Sequence, residues 1–177
     1  MNILIINHYA GSVKMGMEFR PYYLAKKWIE AGHNVYIIAA SYAHTRSHQP
    51  KVKADLQTDK IDNIPFIWLK TPPYKGNGIK RIINMRRFVR KLKKYSTQIA
   101  ERTRADIVIA SSTYPLDNYA GKRIAALSGG KYIYEIHDLW PLSPMLLGGY
   151  SAHHPFIRIM QKAEDFAYTH ADAVVSI

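Results

Sequence analysis

Ile3-Leu4-Ile5-Ile6-Asn7 and Val35-Tyr36-Ile37-Ile38-Ala39-Ala40 are short, continuous apolar runs rich in β-branched residues. That pattern marks parallel strands covered on both faces. Between them, His8 to Gly16 reads as a loop containing Gly11 and Gly16, and Met17 to Ala31 reads as a helix. Leu24, Trp28 and Ala31 share one helical face, with Arg20 leading the row and Lys26, Lys27 and Glu30 as polar neighbours. Gly32 suits the position just past a helix C-terminus. Strand, loop, helix and strand make a βαβ unit, which is right-handed.

The alternation continues outward. Ser41 to Asp59 reads as a polar, mobile loop, Ile61 to Pro65 as a turn, and Phe66 to Leu69 as a strand. After Thr71-Pro72-Pro73-Tyr74, a long helix is predicted from Ile79 to about Arg102, with Ile82, Met85, Val89, Leu92 and Ile99 as its apolar stripe. Asp106 to Ala110 is a further buried strand, Asp117 to Leu127 a helix stopped by Ser128-Gly129-Gly130, and Tyr132 to Ile136 the next strand. Pro155 opens a helix reaching about His170, and Ala173 to Ile177 reads as a final buried strand. The order predicts an α/β fold with a Rossmann-like, doubly wound, mostly parallel sheet. A core strand that stops without a following turn suggests that residues 1–177 are one lobe of a longer protein.

The chain has 177 residues, enough for one substantial core. Lys and Arg number 25 against 13 Asp and Glu, a formal net charge of +12. Such an excess implies an anionic partner: nucleic acid, a phosphorylated substrate or an anionic membrane surface. Without cysteine, disulfides, thiolate catalysis and Cys-based zinc sites are excluded. Met1 to Asn7 lacks the basic start and the apolar length of a signal peptide. No segment approaches the ~20 apolar residues that span a bilayer.

In an open α/β sheet, ligands bind beyond the carboxyl ends of the strands. Tyr132-Ile133-Tyr134-Glu135-Ile136-His137-Asp138-Leu139-Trp140-Pro141 sets a His-Asp pair there. Imidazole titrates near neutrality and a carboxylate can hold its tautomer, so His137 and Asp138 are the candidate catalytic residues. The competing reading is that they only shape a turn. Ser111, Ser112 and Thr113 end another strand, where hydroxyls suit sugar binding. No Gly-x-Ser-x-Gly elbow supports a nucleophilic serine. The loop Gly11 to Arg20 fails the Walker pattern, because Met17-Glu18 follows Gly16, and it lacks a dinucleotide fingerprint. It remains a candidate for contacting a pyrophosphate or sugar, with Arg20 adding charge, or else a solvated surface loop.

Lys75, Lys80, Arg81, Arg86, Arg87, Arg90, Lys91, Lys93 and Lys94 crowd one helical segment, with no acidic residue between Asp62 and Glu101. The segment reads as a core-packed helix with a solvated cationic back, as an interfacial helix attracted to anionic lipid, or as a phosphate- or nucleic-acid-binding face. His44 with His48, and His153 with His154, lack the pattern of a metal site, and none is expected.

Taken together, these pieces resemble the N-terminal, acceptor-binding lobe of a GT-B fold, family 4 glycosyltransferase. The resemblance is nearest to transferases of bacterial surface-polysaccharide assembly, of the N-acetyl-fucosamine transferase type. Ile3 to Tyr9, Gly16 to Pro21, Leu24 to Val35, Ala110 to Pro115, His137 to Pro144 and Gly148-Gly149-Tyr150 carry it. It implies a two-lobe enzyme that retains anomeric configuration, uses a nucleotide-sugar donor and needs no metal or other cofactor. The C-terminal lobe, absent from this chain, would bind most of the donor. Gly16 would then lie near the donor pyrophosphate with Glu18 and Arg20 close by, and His137 and Asp138 near the reacting sugar. Ser111, Ser112 and Thr113 would be acceptor contacts. The family's donor-binding Glu-x7-Glu motif belongs to the second lobe; here Glu164 and Asp172 come closest.

The resemblance also implies an acceptor saccharide on polyprenyl pyrophosphate in the inner leaflet. The enzyme would be cytoplasmic and peripheral on the plasma membrane. Lys80, Arg81, Arg86, Arg87, Arg90, Lys91 and Lys94 would form the membrane- or phosphate-facing surface. The isolated lobe would not catalyse transfer, and nucleic acid is not an expected partner. The alternative is a basic module that binds nucleic acid or another anionic ligand.

Overall fold

The computed structural model describes residues 1–16, 19–76 and 78–177. The chain runs through β1 (Asn2–Ile6), α1 (Arg20–Glu30), β2 (Asn34–Ala40), β3 (Gln57–Ile61) and β4 (Ile64–Leu69). It continues through α2 (Ile79–Lys94), α3 (Ser96–Thr103), β5 (Ile107–Ala110) and a 3₁₀ turn at Pro115–Asp117. It ends with α4 (Asn118–Ser128), β6 (Lys131–Ile136), α5 (Leu142–Gly148), α6 (Pro155–His170) and β7 (Ala173–Ser176). Among the described residues the strands form one seven-stranded sheet, ordered β3-β4-β2-β1-β5-β6-β7. Neighbours are parallel except β3 and β4. Apart from β3, this is the doubly wound order, and its direction reverses between β1 and β5.

Strand periodicity divides the core in two. Leu4 and Ile6 of β1 face a cluster with Ile38, Phe88, Leu92, Ile124 and Tyr132; Ile3 and Ile5 face one with Tyr22, Ala25, Ile37, Phe66 and Trp68. α1 therefore covers one face, and α2, α3, α4 and α6 the other. Burying each large apolar side chain contributes about 1.5–3 kcal/mol. With both faces covered, the inner strands have no polar alternation, which is why they read as continuous apolar runs.

The structure differs from the sequence expectations at several elements. α1 begins at Arg20, not Met17, with Pro21 in its first turn; proline tolerates only that position, because it lacks an N–H. Met17 itself lies outside the described residues. An edge strand, β3, begins inside the expected mobile loop from Ser41 to Asp59, takes in Ile61 of the expected turn, and pairs with β4 through the turn Asp62-Asn63. Both turn residues have positive φ, 48° and 68°, the backbone of a tight hairpin. The expected long helix divides at Tyr95 into α2 and α3. There Ser96 Oγ donates to the carbonyls of Leu92 at 2.9 Å and Lys93 at 3.0 Å, a back-bonding that bends helices. Ile82, read as part of the buried stripe, is 46% exposed, whereas Phe88 and Asn84 are buried. α5 is an unpredicted short helix. β7, expected as a buried strand, is the edge of the sheet among the described residues, and its residues are exposed.

Candidate active site at the switch point of the sheet

Ligand crevices form where the strand order reverses, because the loops leaving adjacent strands diverge there. In this sheet that point lies between β1 and β5, and Asn7 and Ser111 follow those two strands directly. Asn7 Nδ2 donates to the Ser111 carbonyl at 2.5 Å, and the Ser111 N–H donates to the Ile6 carbonyl at 2.8 Å. These bonds hold Ser111 Oγ beside β6, where it donates to Glu135 Oε2 at 2.6 Å.

Glu135 gathers the site. Its Oε2 also lies 3.0 Å from His137 Nε2, and its Oε1 accepts from Arg20 Nε at 3.1 Å and Nη2 at 2.8 Å. The carboxylate is almost fully buried, at 6% side-chain exposure. Burial alone would raise its pKa. Hydrogen bonds from His137, Ser111 and Arg20, with the charge of His137, outweigh that and hold it at about 2. An ionised Glu135 accepts only, so Nε2 of His137 is assigned the proton. That Nε2 also lies 2.9 Å from Ser111 Oγ. Nδ1 of His137 has no hydrogen-bond partner among the described residues. The ring is thus fixed from behind, with its second nitrogen available to a ligand. A carboxylate behind an imidazole orients the ring and stabilises the imidazolium when it forms.

A second buried polar group lies beyond β1. His8 Nδ1 is 2.6 Å from Tyr114 Oη. Burial, then the charge of Arg46, lowers the His8 pKa well below its usual value, so this ring is neutral. Asp117, 1% exposed, accepts from the Ser112 N–H at 3.2 Å. Burial pushes its carboxyl up to about 7, with hydrogen bonds from Ser112 pulling the other way. Arg46 is 4% exposed and makes no ion pair with a described residue. Its guanidinium donates to the carbonyls of Ala10 at 2.6 and 3.0 Å, Ala40 at 2.8 Å and His8 at 3.3 Å. It also lies over the Trp68 ring. Burial pushes its pKa down to about 9. This side chain ties the loop after β2 to the loop after β1.

The predicted site residues are distributed unevenly about this network. Arg20, Ser111 and His137 are joined through Glu135. Asp138 is exposed and its side chain does not join them. Ser112 Oγ accepts from the His8 N–H at 3.0 Å, and Thr113 Oγ1 is buried without a partner among the described residues. Gly16 has φ +102°, and a Cβ there would meet Ser47 N at 3.0 Å, so the position suits glycine. Glu18 lies outside the described residues. On α2, Lys80, Arg86, Arg87, Arg90 and Lys94 are exposed, while Arg81 donates to Tyr9 Oη at 3.2 Å. Lys91 is not part of the open surface: it pairs with Asp55 at 2.7 Å and donates to the Lys70 carbonyl at 2.6 Å.

Sequence reasoning missed Glu135, Asn7 and Arg46. The one available signal was a carboxylate inside an otherwise apolar and aromatic strand. No group of three or more His, Cys, Asp or Glu among the described residues is placed to hold a metal ion.

The sequence profile described as Glycosyltransferase Family 4 matches residues 15–177, most of the chain. The chain belongs to glycosyltransferase family 4. The family 4 chain superposes on sucrose-phosphate synthase from Thermosynechococcus elongatus with a TM-score of 0.61 at 16% identity. The match covers 97% of this chain and 41% of that one, so the chain spans about two fifths of the neighbour's length. At that identity the likeness establishes the fold: a GT-B, Rossmann-like lobe. No curated protein sequence matches the chain.

Proposed function

We propose that this family 4 chain is the N-terminal, acceptor-binding lobe of a retaining glycosyltransferase. It would take part in moving a sugar from a nucleotide-sugar to a lipid-linked saccharide in bacterial surface-polysaccharide synthesis. The N-acetyl-fucosamine transferase type is the specific form, on the strength of the His137-Asp138-Leu139-Trp140-Pro141 segment. The observation that carries the reading is the Arg20–Glu135–His137–Ser111 network at the switch point. Nδ1 of His137 addresses a hydroxyl of the reacting sugars, and Glu135 keeps the ring in one tautomer. Arg20 is anchored on one edge by Glu135 and 40% exposed on the side chain, so it offers its remaining N–H groups to the donor pyrophosphate. Gly16 lets the preceding loop approach the same phosphates. Asp138, Ser112 and Thr113 border the acceptor side. Metal is not part of this mechanism.

A lipid-linked acceptor requires the protein to work at the membrane. No helix among the described residues is long and apolar enough to cross one, and the cationic face of α2 supplies a peripheral attachment at the inner leaflet. Each Lys or Arg near an anionic surface contributes about 1 kcal/mol.

The complete gene product, incubated with a panel of nucleotide-sugars and polyprenyl-linked saccharides, is expected to transfer sugar to the lipid fraction. His137→Ala is expected to lower turnover at least a hundredfold, roughly the value of one positioned acid–base group. Unchanged turnover in that variant would refute the role of His137. Transfer only to soluble acceptors would refute the lipid-linked assignment.

A further inference from the structure

The network around Glu135 leaves one large feature of the lobe unused. On the opposite face of the sheet a groove of about 430 Å³ runs between α2 and α6. Met85, Val89, Phe156 and Met160 line its apolar floor, and Ile82 and Ile159 stand at its lips, 46% and 54% exposed. Both helices begin beyond the carboxyl ends of their preceding strands, so the groove opens toward the ligand end of the sheet.

Its rim has the opposite chemistry. Arg86, Arg90 and Lys93 recur at helical spacing along one edge of α2. None of the three makes an ion pair or hydrogen bond with a described residue, in contrast to Lys91 on the same helix. The apolar surface also continues outward. Trp140 and Tyr150 lie against Phe156, with ring centroids 5.8 and 6.4 Å apart. They belong to a segment, Leu139 to Ala152, that carries no charged residue. On α5 in that segment, Leu146 is 73% and Leu147 90% exposed. Trp140 and Tyr150 thus extend the apolar surface of the groove, and exposed apolar surface of this kind marks a binding site.

We propose that the α2–α6 groove binds a single phosphate-bearing lipid, its hydrocarbon chain on the floor and its phosphate on Arg86, Arg90 and Lys93. An apolar trough needs hydrocarbon and unpaired cations need an anion, and a chain ending in a phosphate supplies both in one molecule. Nucleic acid satisfies the rim but leaves the floor uncovered, and among the described residues lining the groove only Phe156 is an aromatic for a base to stack on. The inference deepens the lipid-linked reading above and rests on it for the natural identity of the lipid, not for the binding itself.

Calorimetric titration of the purified chain with farnesyl phosphate and with lysophosphatidic acid, each below its micelle concentration, tests this. The two arms separate an isoprenoid from an acyl source. At least one is expected to bind, with farnesol and inorganic phosphate each at least tenfold weaker. Ile159→Asp, and separately the pair Arg86→Glu and Arg90→Glu, are expected to lower the affinity at least tenfold. All three positions are exposed, so the circular dichroism and melting temperature should stay unchanged. Equal binding of inorganic phosphate and farnesyl phosphate overturns the proposal, as does indifference to the groove substitutions. Binding of an acidic amphipathic peptide with no binding of either lipid also overturns it. The titration needs no transfer activity, so its failure and that of the glycosyltransferase reading are separately visible.

Discussion

Glu135 receives Arg20, Ser111 and His137 while almost fully buried, and this makes it both a positioning residue and a stability determinant. Its pKa is depressed in the folded state to about 2. The associated stability is therefore complete above the unfolded carboxyl value and is lost as pH falls from about 4.5 toward 2, roughly 3 kcal/mol in total. Denaturant unfolding across that window should show the loss in the parent and a shallower one in Glu135→Gln; matching slopes would refute the assignment. Under the proposed function, Glu135→Gln is also expected to lower turnover by about a hundredfold with little change in KM, because the imidazole loses its orienting carboxylate.

Asp117 has the opposite sign. Its folded pKa is raised to about 7, so the folded state holds its proton more tightly and stability falls as pH rises from about 4 to 7. Asp117→Asn should remove that slope and be more stable than the parent at pH 8 by up to about 4 kcal/mol, read from urea unfolding. The sequence exposed His137 by its place after a buried strand and before Trp140-Pro141. It hid Glu135, because its main partners, Arg20 and Ser111, come from distant parts of the chain.

Among the elements, the junction of α4 and β6 depends on a glycine pair. Gly129 takes φ +69° to end the helix. Gly130 has a different constraint: a Cβ there would meet the Ala105 carbonyl oxygen at 2.2 Å and that of Asp106 at 2.8 Å. Both are backbone atoms, so the start of β5 would have to move. Gly130→Ala is expected to cost about 3 kcal/mol, seen as a lowered melting midpoint. Gly32→Ala faces no atom within 4 Å and only the strain of φ +85°, so it should cost roughly 1 kcal/mol. In the β3–β4 hairpin, Asn63 at φ 68° is the natural place for glycine. Asn63→Gly keeps the bond from Tyr22 Oη to Asp62 at 2.8 Å and should stabilise by about 0.5 kcal/mol. The buried strands were readable from continuous apolar runs. β3 was not, because Gln57-Thr58-Asp59-Lys60-Ile61 is an edge strand with polar residues, and only pairing with β4 shows it.

At the scale of the whole molecule, the charge of +12 is spread unevenly, with the cations of α2 beside an apolar groove. Sedimentation with anionic vesicles should therefore be strong at low salt and weaken as salt shortens the Debye length from about 30 Å at 0.01 M to about 3 Å at 1 M. Equal binding to neutral vesicles would show that charge is not the cause. The alternation of apolar runs with amphipathic helices was enough by itself to determine the α/β class and the covered inner strands. These follow from local periodicity, which each segment carries whether or not its neighbours are known. Only the tertiary structure decided that β1 and β5 adjoin, that Arg20 meets Glu135, that Lys91 is spent inside the lobe and that a groove separates α2 from α6. Those depend on segments distant in sequence coming to rest against one another, where burial and hydrogen bonding choose among side chains that the sequence pattern treats alike.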